Sequence, residues 1–373
     1  MNLFLFSILI LSFRFFFKDL SSFYILDEPD DRKLHLSSIP QTGGLVFVSI
    51  FIIGGWYLNI LPSWMIIGSF VSLLLGSLDD NFDIHWTIKL IVQLLLAAFL
   101  AYNFWDRFAE LSFYNYSLSI NQISLLIIFF IWFVGIYNAV NLTDGLDGLA
   151  GSYLVILCIS LSLIGSSSFA QITIFLLILL IVFLVFNQRP ARVFMGDGGS
   201  LFLGYFVAVL PLLYIDLSES KSTVLDMTNF IILSSYLIAD TTRVFFTRLL
   251  SGKSPMTADT IHFHHLILQR SGSYLTTLFI ILLFTTASSL FAILNFVNDY
   301  NQIGMLVHIS ILFLFILTPP APTYVKLINK FVVKTYSWNK ESKYSAKNSF
   351  PRTFLSTLII TLLLSSIIIN ANY

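Results

Sequence analysis

One cysteine, Cys158, stands in 373 residues, so the chain can close no intramolecular disulfide and offers no cysteine cage for zinc. Charge is scarce too. Asp, Glu, Lys and Arg make up 11% of the sequence and cancel to a net charge of zero, which removes the basic surface that a nucleic-acid partner requires. Internal repeats are missing, which weakens the case for a repeat-built transporter. No small-residue cleavage site follows the first apolar segment, which carries Arg14 within it, so that segment reads as an uncleaved span rather than a signal peptide. Cys158 falls mid-span and reads as a small buried apolar residue.

What fills the chain is apolar. It is 57% hydrophobic with a mean hydropathy of +0.86. Runs of roughly membrane-spanning length recur at Leu3–Phe17, Gly44–Leu61, Trp64–Leu78, Ile88–Tyr102, Ile123–Tyr137, Leu149–Ile164, Ala170–Phe186, Leu201–Ile215, Phe230–Phe246, Leu275–Val297, Ile303–Leu317 and Phe354–Ile369. The expected fold class is all-α: a polytopic integral membrane protein with about 11–12 transmembrane helices and its chemistry in cytoplasmic loops. Threading these spans puts seventeen of the 20 basic residues on one side, two (Arg107 and Lys221) on the other, and leaves Arg14 embedded. By the positive-inside rule the rich side is cytoplasmic and both termini lie outside.

Five polar islands fall on that same side. Asp27–Gly44 carries Arg32, Lys33 and His35 and ends in Thr42-Gly43-Gly44, whose backbone N–H groups suit phosphate at a helix start. In Asp79–Trp86, the adjacent carboxylates of Asp79 and Asp80 demand an offset from a cation, a cationic partner or a raised pKa; Asp83 shares a helical face with Asp79 while Asp80 points elsewhere. In Asn138–Gly151, Asn138, Asn141, Asp144 and Asp147 step by three and line one face if helical, an oxygen set suited to Mg²⁺. Asn187–Ser200 places Asp197 among Gly196, Gly198 and Gly199, with Phe194 nearby as a candidate ring platform. Arg243–Ser273 holds Arg248 and the trio His262, His264 and His265, which read as partners for a diphosphate in preference to a zinc site. His85 and His308 stand outside these groups and read as structural. The connectors Asn103–Gln122 and Asp216–Met227 on the opposite face look like ordinary solvated loops.

In order, the segments LDEPDDRKLHLSSIPQTGG, LDDNFD, NAVNLTDGLDGLAG, NQRPARVFMGDGGS and SPMTADTIHFHH closely resemble the polyprenyl-phosphate N-acetylhexosamine-1-phosphate transferase family, which includes the phospho-MurNAc-pentapeptide transferases. The resemblance covers roughly Asp27 to His265. It implies transfer of N-acetylhexosamine 1-phosphate from a UDP-sugar to undecaprenyl phosphate, with release of UMP, at the start of a cell-envelope polysaccharide. It implies Mg²⁺, with Mn²⁺ as an alternative, held by Asn141 and Asp197. Asp79 and Asp80 would lie by the reacting phosphates, and Asp144 and Asp147 by the nucleotide. Asn187 and Phe194 would hold uracil, Arg248, His262, His264 and His265 the diphosphate or sugar, and Lys33 and His35 the lipid phosphate. Asp83 and the His-x-His-His pattern resemble the branch acting on UDP-N-acetylhexosamines. The expected location is the bacterial cytoplasmic membrane, with the lipid bilayer as surroundings and a homodimer as a compatible assembly. Residues 1–317 would form the transferase domain, with its motifs in 27–273, and 318–373 a basic cytoplasmic segment plus an extra transmembrane helix. Two other classes compete. A cation-coupled transporter predicts carboxylates at mid-span, where Asp240 is the main candidate; an intramembrane prenyltransferase would need neither the Gly-Asp-Gly-Gly-Ser nor the His-x-His-His segment.

Overall fold

The structure, a computed structural model, describes residues 26–27, 38–107, 110–114, 116–118, 121–218, 224–254 and 260–298. Lys33, His35, His308, the spans expected at Leu3–Phe17, Ile303–Leu317 and Phe354–Ile369, and the segment 318–373 lie outside the described residues.

Eleven helices are described: α1 (Gly43–Tyr57), α2 (Ser63–Phe82), α3 (Trp86–Asn103), α4 (Gln122–Thr143), α5 (Leu149–Ile164), α6 (Ser167–Asn187), α7 (Gly196–Asp216), α8 (Thr228–Leu233), α9 (Ser235–Leu250), α10 (Phe263–Ser271) and α11 (Tyr274–Asn298). Among the described residues α2, α3, α4, α6, α7 and α11 are long and apolar enough to cross a membrane, and α1 and α5 are shorter apolar helices. The chain is therefore an all-α, multi-pass membrane protein. Short strands β1 (Leu26–Asp27), β2 (Ile39–Pro40), β3 (Glu110–Phe113), β4 (Tyr116–Leu118) and β5 (Val224–Asp226) decorate the loops.

Several helices run further than the apolar spans suggest. α2 continues through Asp79 and Asp80, α4 through Asn138 and Asn141, and α7 starts at Gly196, five residues before its apolar run. The expected span Phe230–Phe246 is broken at Ser234 into α8 and α9, where the Ser235 hydroxyl turns back to the carbonyls of Ile231 and Ile232.

The chain divides into two compact units, Met1–Asp106 with Leu126–Lys221, and Arg107–Leu125 with Ser222–Tyr373. In the first, α7 is the central helix: 94% of its spanning window is buried, against 28% for α3, which leaves α3 a broad face for lipid. α2 and α7 run antiparallel and are tied at both ends. The Trp64 indole donates to Asp216 at 2.9 Å, and Asp80 meets the first N–H groups of α7 at the other end. Gly68 lies on the Tyr205 ring, Gly76 on the Asp197–Gly198 backbone, and Gly44 of α1 on Gly199. A Cβ at any of these would collide with what it faces, so the small residues set how closely the helices approach. Phe47 and Phe51 of α1 interleave with Phe175 and Phe183 of α6 and with Phe202 and Phe206 of α7, ring centroids 5.2–6.2 Å apart.

In the second unit β3 pairs antiparallel with β4 and parallel with β5. The two connectors read in sequence as ordinary solvated loops thus meet in one sheet. Helices α9, α10 and α8 all pack on α11.

Candidate active site

At the end of α2 the adjacent carboxylates diverge, each toward its own source of positive charge. Asp79 accepts from the Ile84 N–H at 2.7 Å and from the Lys89 ammonium of α3 at 2.6 Å. Asp80 reaches across to α7 and accepts from the N–H groups of Asp197 (2.8 Å) and Gly198 (3.2 Å). Those donors are the unpaired amides that begin every helix, and the dipole there favours a negative group. The repulsion inferred from sequence is therefore offset by a lysine on one side and a helix N-terminus on the other. Lys89 was counted in sequence only toward the orientation of the chain.

Asp83 does not join them. It caps α2 in the left-handed region, φ 45°, and is exposed, so it shares no face with Asp79. The reason is local: α2 stops at Phe82, and a left-handed residue turns the chain out of the helical periodicity. Asp83→Asn, which tolerates that φ, should keep turnover within about threefold of wild type and stability within about 0.5 kcal/mol. A loss of turnover comparable to that of a site carboxylate would restore Asp83 to the site.

The Asp197 carboxyl stands within hydrogen-bonding distance of that of Asp79. Two carboxyls can share that position only with a proton or a cation between them. Asn141, near the end of α4, accepts from the Ser200 hydroxyl at 3.3 Å, which brings its amide to the first turn of α7. Asn138 turns elsewhere and forms a two-way amide pair with buried Gln93 of α3, at 2.7 and 3.1 Å. Asp144 and Asp147 follow α4 in the turn before α5, outside any helix. Burial first, then the charges of Asp147 and Asp80, push the Asp144 carboxyl up to about 7. The Asp144 carboxyl therefore feels negative charge both from its own turn and from the end of α2.

Asn187 closes this end of the unit from within. Its Oδ1 accepts from the Gly148 N–H at 2.9 Å and its Nδ2 donates to the Val193 carbonyl at 2.9 Å. Both ends of the amide are engaged with backbone, so Asn187 ties the Asp144–Gly148 turn to the loop before α7 and is not presented to a base. Phe194 is half-buried beside it, its N–H donating to the Pro40 carbonyl. Gly43 and Gly44, expected to offer N–H groups to phosphate, donate to the carbonyls of Phe194 (3.0 Å) and Met195 (2.8 Å). They lock the first island to the fourth. His85 is the N-cap of α3.

The second unit holds the trio His262, His264 and His265. Arg248 is buried in the last turn of α9, and His262 and His264 are buried at the start of α10, with His265 half-buried. The His262 and His264 rings stack with centroids 5.8 Å apart, and the His264 and His265 rings are tilted by 49° with centroids 4.1 Å apart. Burial above all, with His265 beside it, pushes His264 down to about 3, so its ring is neutral. It cannot by itself be the cationic partner of a diphosphate in this state. Buried Asp240 of α9, noticed in sequence only as a misplaced charge, bonds to His262 and Arg243.

Glycosyl transferase family 4 matches residues 63–215. A Bacillus subtilis (strain 168) protein named probable undecaprenyl-phosphate N-acetylglucosaminyl 1-phosphate transferase is 32% identical over 290 residues, 72% of this chain and 76% of its own length. The chain belongs to the polyprenyl-phosphate N-acetylhexosamine-1-phosphate transferase family. A second family member, the undecaprenyl-phosphate alpha-N-acetylglucosaminyl 1-phosphate transferase of Haemophilus influenzae, is 30% identical over 308 residues, 78% of this chain and 84% of its own. A phospho-N-acetylmuramoyl-pentapeptide-transferase from Fervidobacterium nodosum is 30% identical over 200 residues, 51% and 64% of the two chains. Within this transferase family the matched stretch 63–215 spans the Asp79-Asp80 pair, Asn141, Asp144, Asp147 and Asp197. The transporter and prenyltransferase readings are not favoured by any of these relatives.

Proposed function

We propose that this protein transfers N-acetylhexosamine 1-phosphate from a UDP-sugar to undecaprenyl phosphate, at the cytoplasmic face of a bacterial membrane. An oxygen of the lipid phosphate attacks the β-phosphorus of the donor, the bond to the α-phosphate breaks, and UMP leaves with the electron pair. The names of its relatives support the lipid acceptor, and the partition of basic residues supports the orientation. The observation that carries the reading is the convergence of Asp79, Asp80 and Asp197 at the joined ends of α2 and α7, where a polar donor can meet a lipid headgroup.

Among the described residues no three His, Cys, Asp or Glu side chains are grouped to hold a metal unaided. Mg²⁺ takes one or two carboxylates, keeps waters and uses substrate phosphates for the rest. Asp197 and Asn141 would hold it, in the place where the Asp79–Asp197 carboxyl pair otherwise demands a proton. Bound there, the ion would supply Lewis-acid stabilisation of the negative charge that develops in transfer.

The chain's own groups do the rest by positioning. Lys89 and the Ile84 N–H hold Asp79, and the α7 N-terminus holds Asp80, which supports direct attack by the lipid phosphate over a covalent intermediate on either carboxylate. Asp144 and Asp147 place the nucleotide, and Phe194 offers a ring face to uracil. Arg248 and the histidines contact the diphosphate or sugar. Membranes containing the protein, given undecaprenyl phosphate, Mg²⁺ and a panel of UDP-N-acetylsugars, should release UMP and form a lipid-linked sugar diphosphate with at least one donor, and chelation should stop both. Absence of UMP with every donor would end the transferase reading; undiminished turnover after chelation would end the Mg²⁺ assignment.

A further inference from the structure

Asp240 is the sixth residue of α9, 3% exposed. A carboxylate in such a place has to be paired, and one that gathers several partners is spending them on something. Its Oδ1 accepts from Arg243 Nη2 and from the Phe263 N–H, both at 2.9 Å, and its Oδ2 lies 2.9 Å from His262 Nδ1. Arg243 also donates to the Ile261 carbonyl, and its guanidinium lies 4.5 Å from the centre of the Phe263 ring. Three consecutive residues, Ile261, His262 and Phe263, are thereby fastened to one turn of α9 by Asp240 and Arg243. Nothing comparable holds His264, whose ring nitrogens both lack a partner.

A carboxylate can only accept, so the proton between Asp240 and His262 sits on Nδ1. That leaves Nε2 to do whatever His262 does, and Nε2 is buried without a partner. A buried ring nitrogen held rigidly at one end and unsatisfied at the other is arranged for a ligand. The logic is that of a carboxylate fixing the tautomer and orientation of a histidine whose second nitrogen does the work.

We propose that Asp240 is a positioning residue for the donor substrate: it fixes His262 with the proton on Nδ1 and presents the Nε2 lone pair to a hydroxyl or N-acetyl N–H of the sugar. The effect on turnover rests on the transferase reading above; the state of the ring does not. In Asp240→Asn the amide NH₂ at the Oδ2 position donates to Nδ1, and the proton moves to Nε2, the wrong tautomer for the task.

The test has two arms, on the full-length protein in detergent or nanodiscs. With ¹⁵N-labelled histidine, of which the chain has 6, the His262 signals, assigned by their loss in His262→Gln, should show Nδ1 protonated in wild type. Nε2 protonated instead would overturn the proposal, and this arm stands even if Asp240→Asn fails to fold. In the kinetic arm, Asp240→Asn should lower kcat/KM for the UDP-sugar about 10–100-fold and leave KM for undecaprenyl phosphate within about threefold. In a His262→Gln background the same change should cost less than about threefold, because the residue it acts through is gone. An equal loss in both backgrounds would make Asp240 merely structural and overturn the proposal. If wild type turned over no donor while Nδ1 carried the proton, the transferase reading would fall and the histidine assignment would survive.

Discussion

Asp197→Asn is expected to give a protein at least as stable as wild type that turns over at less than about one thousandth of its rate. The two halves of this prediction come from the same contact. The Asp197 and Asp79 carboxyls meet at hydrogen-bonding distance, with Asp80 close by, an arrangement that favours a cation and is costly without one. An amide at 197 donates its N–H to Asp79, removes one negative charge and keeps the shape. About 1 kcal/mol of added stability follows, as happens when a strained functional group is made comfortable. What is lost is the charge that would hold Mg²⁺ against the diphosphate. Thermal unfolding in detergent should therefore show the variant equal to or above wild type without metal. Added Mg²⁺ should raise the wild-type midpoint and leave the variant unmoved, because only a folded state that binds the ion gains from it. A variant that unfolds early, or one that still releases UMP at a tenth of the normal rate, would remove Asp197 from the centre of the site.

The carboxylates were legible in sequence because charge in an apolar chain is conspicuous; their partners were not. Asp79, Asp80, Asn141, Asp144, Asp147 and Asp197 announced themselves, and their convergence follows from helices whose ends lie on one face. Lys89 and Gln93 sit singly in an apolar helix and carry no motif, yet they anchor Asp79 and Asn138. Hydropathy also misplaced the helix ends. Asp80 and Asn138 looked like loop residues because polar groups are expensive in a membrane, whereas the structure keeps them helical, where their side chains answer the unpaired amides of α7 and the Gln93 amide of α3. Asp83 failed for the opposite reason: a period-three spacing predicts a shared face only while the helix lasts. Asp240 read as an anomaly since its partners, Arg243 and His262, come from either side of a break in the pattern. The β3–β5 pairing, between segments more than a hundred residues apart, left no local signal.

Asp80→Asn should lose turnover about 10²–10³-fold, and unlike Asp197→Asn it should lose stability with it. Its two oxygens accept from consecutive N–H groups at the start of α7. An amide keeps one acceptor and turns its NH₂ against the other N–H, leaving a buried donor unpaired beside a donor. Charge-assisted bonds of this kind contribute about 1.5–3 kcal/mol each, and the helix N-terminus adds up to about 1 kcal/mol for a negative group. A net loss of about 2–3 kcal/mol follows, since α7 retains its contacts with α1 and α2. Gly76 lies directly on the Asp197–Gly198 backbone, so α7 cannot slide to make up the missing bond without meeting α2. The first turn of α7, and Asp197 with it, must rotate instead. A thermal midpoint several degrees below wild type, together with a weakened response to Mg²⁺, would mark Asp80 as the group that sets Asp197 in place. Wild-type stability with lost turnover would assign Asp80 to the reacting phosphates alone. The pair of variants therefore separates the carboxylate that would bind the ion from the one that aims it.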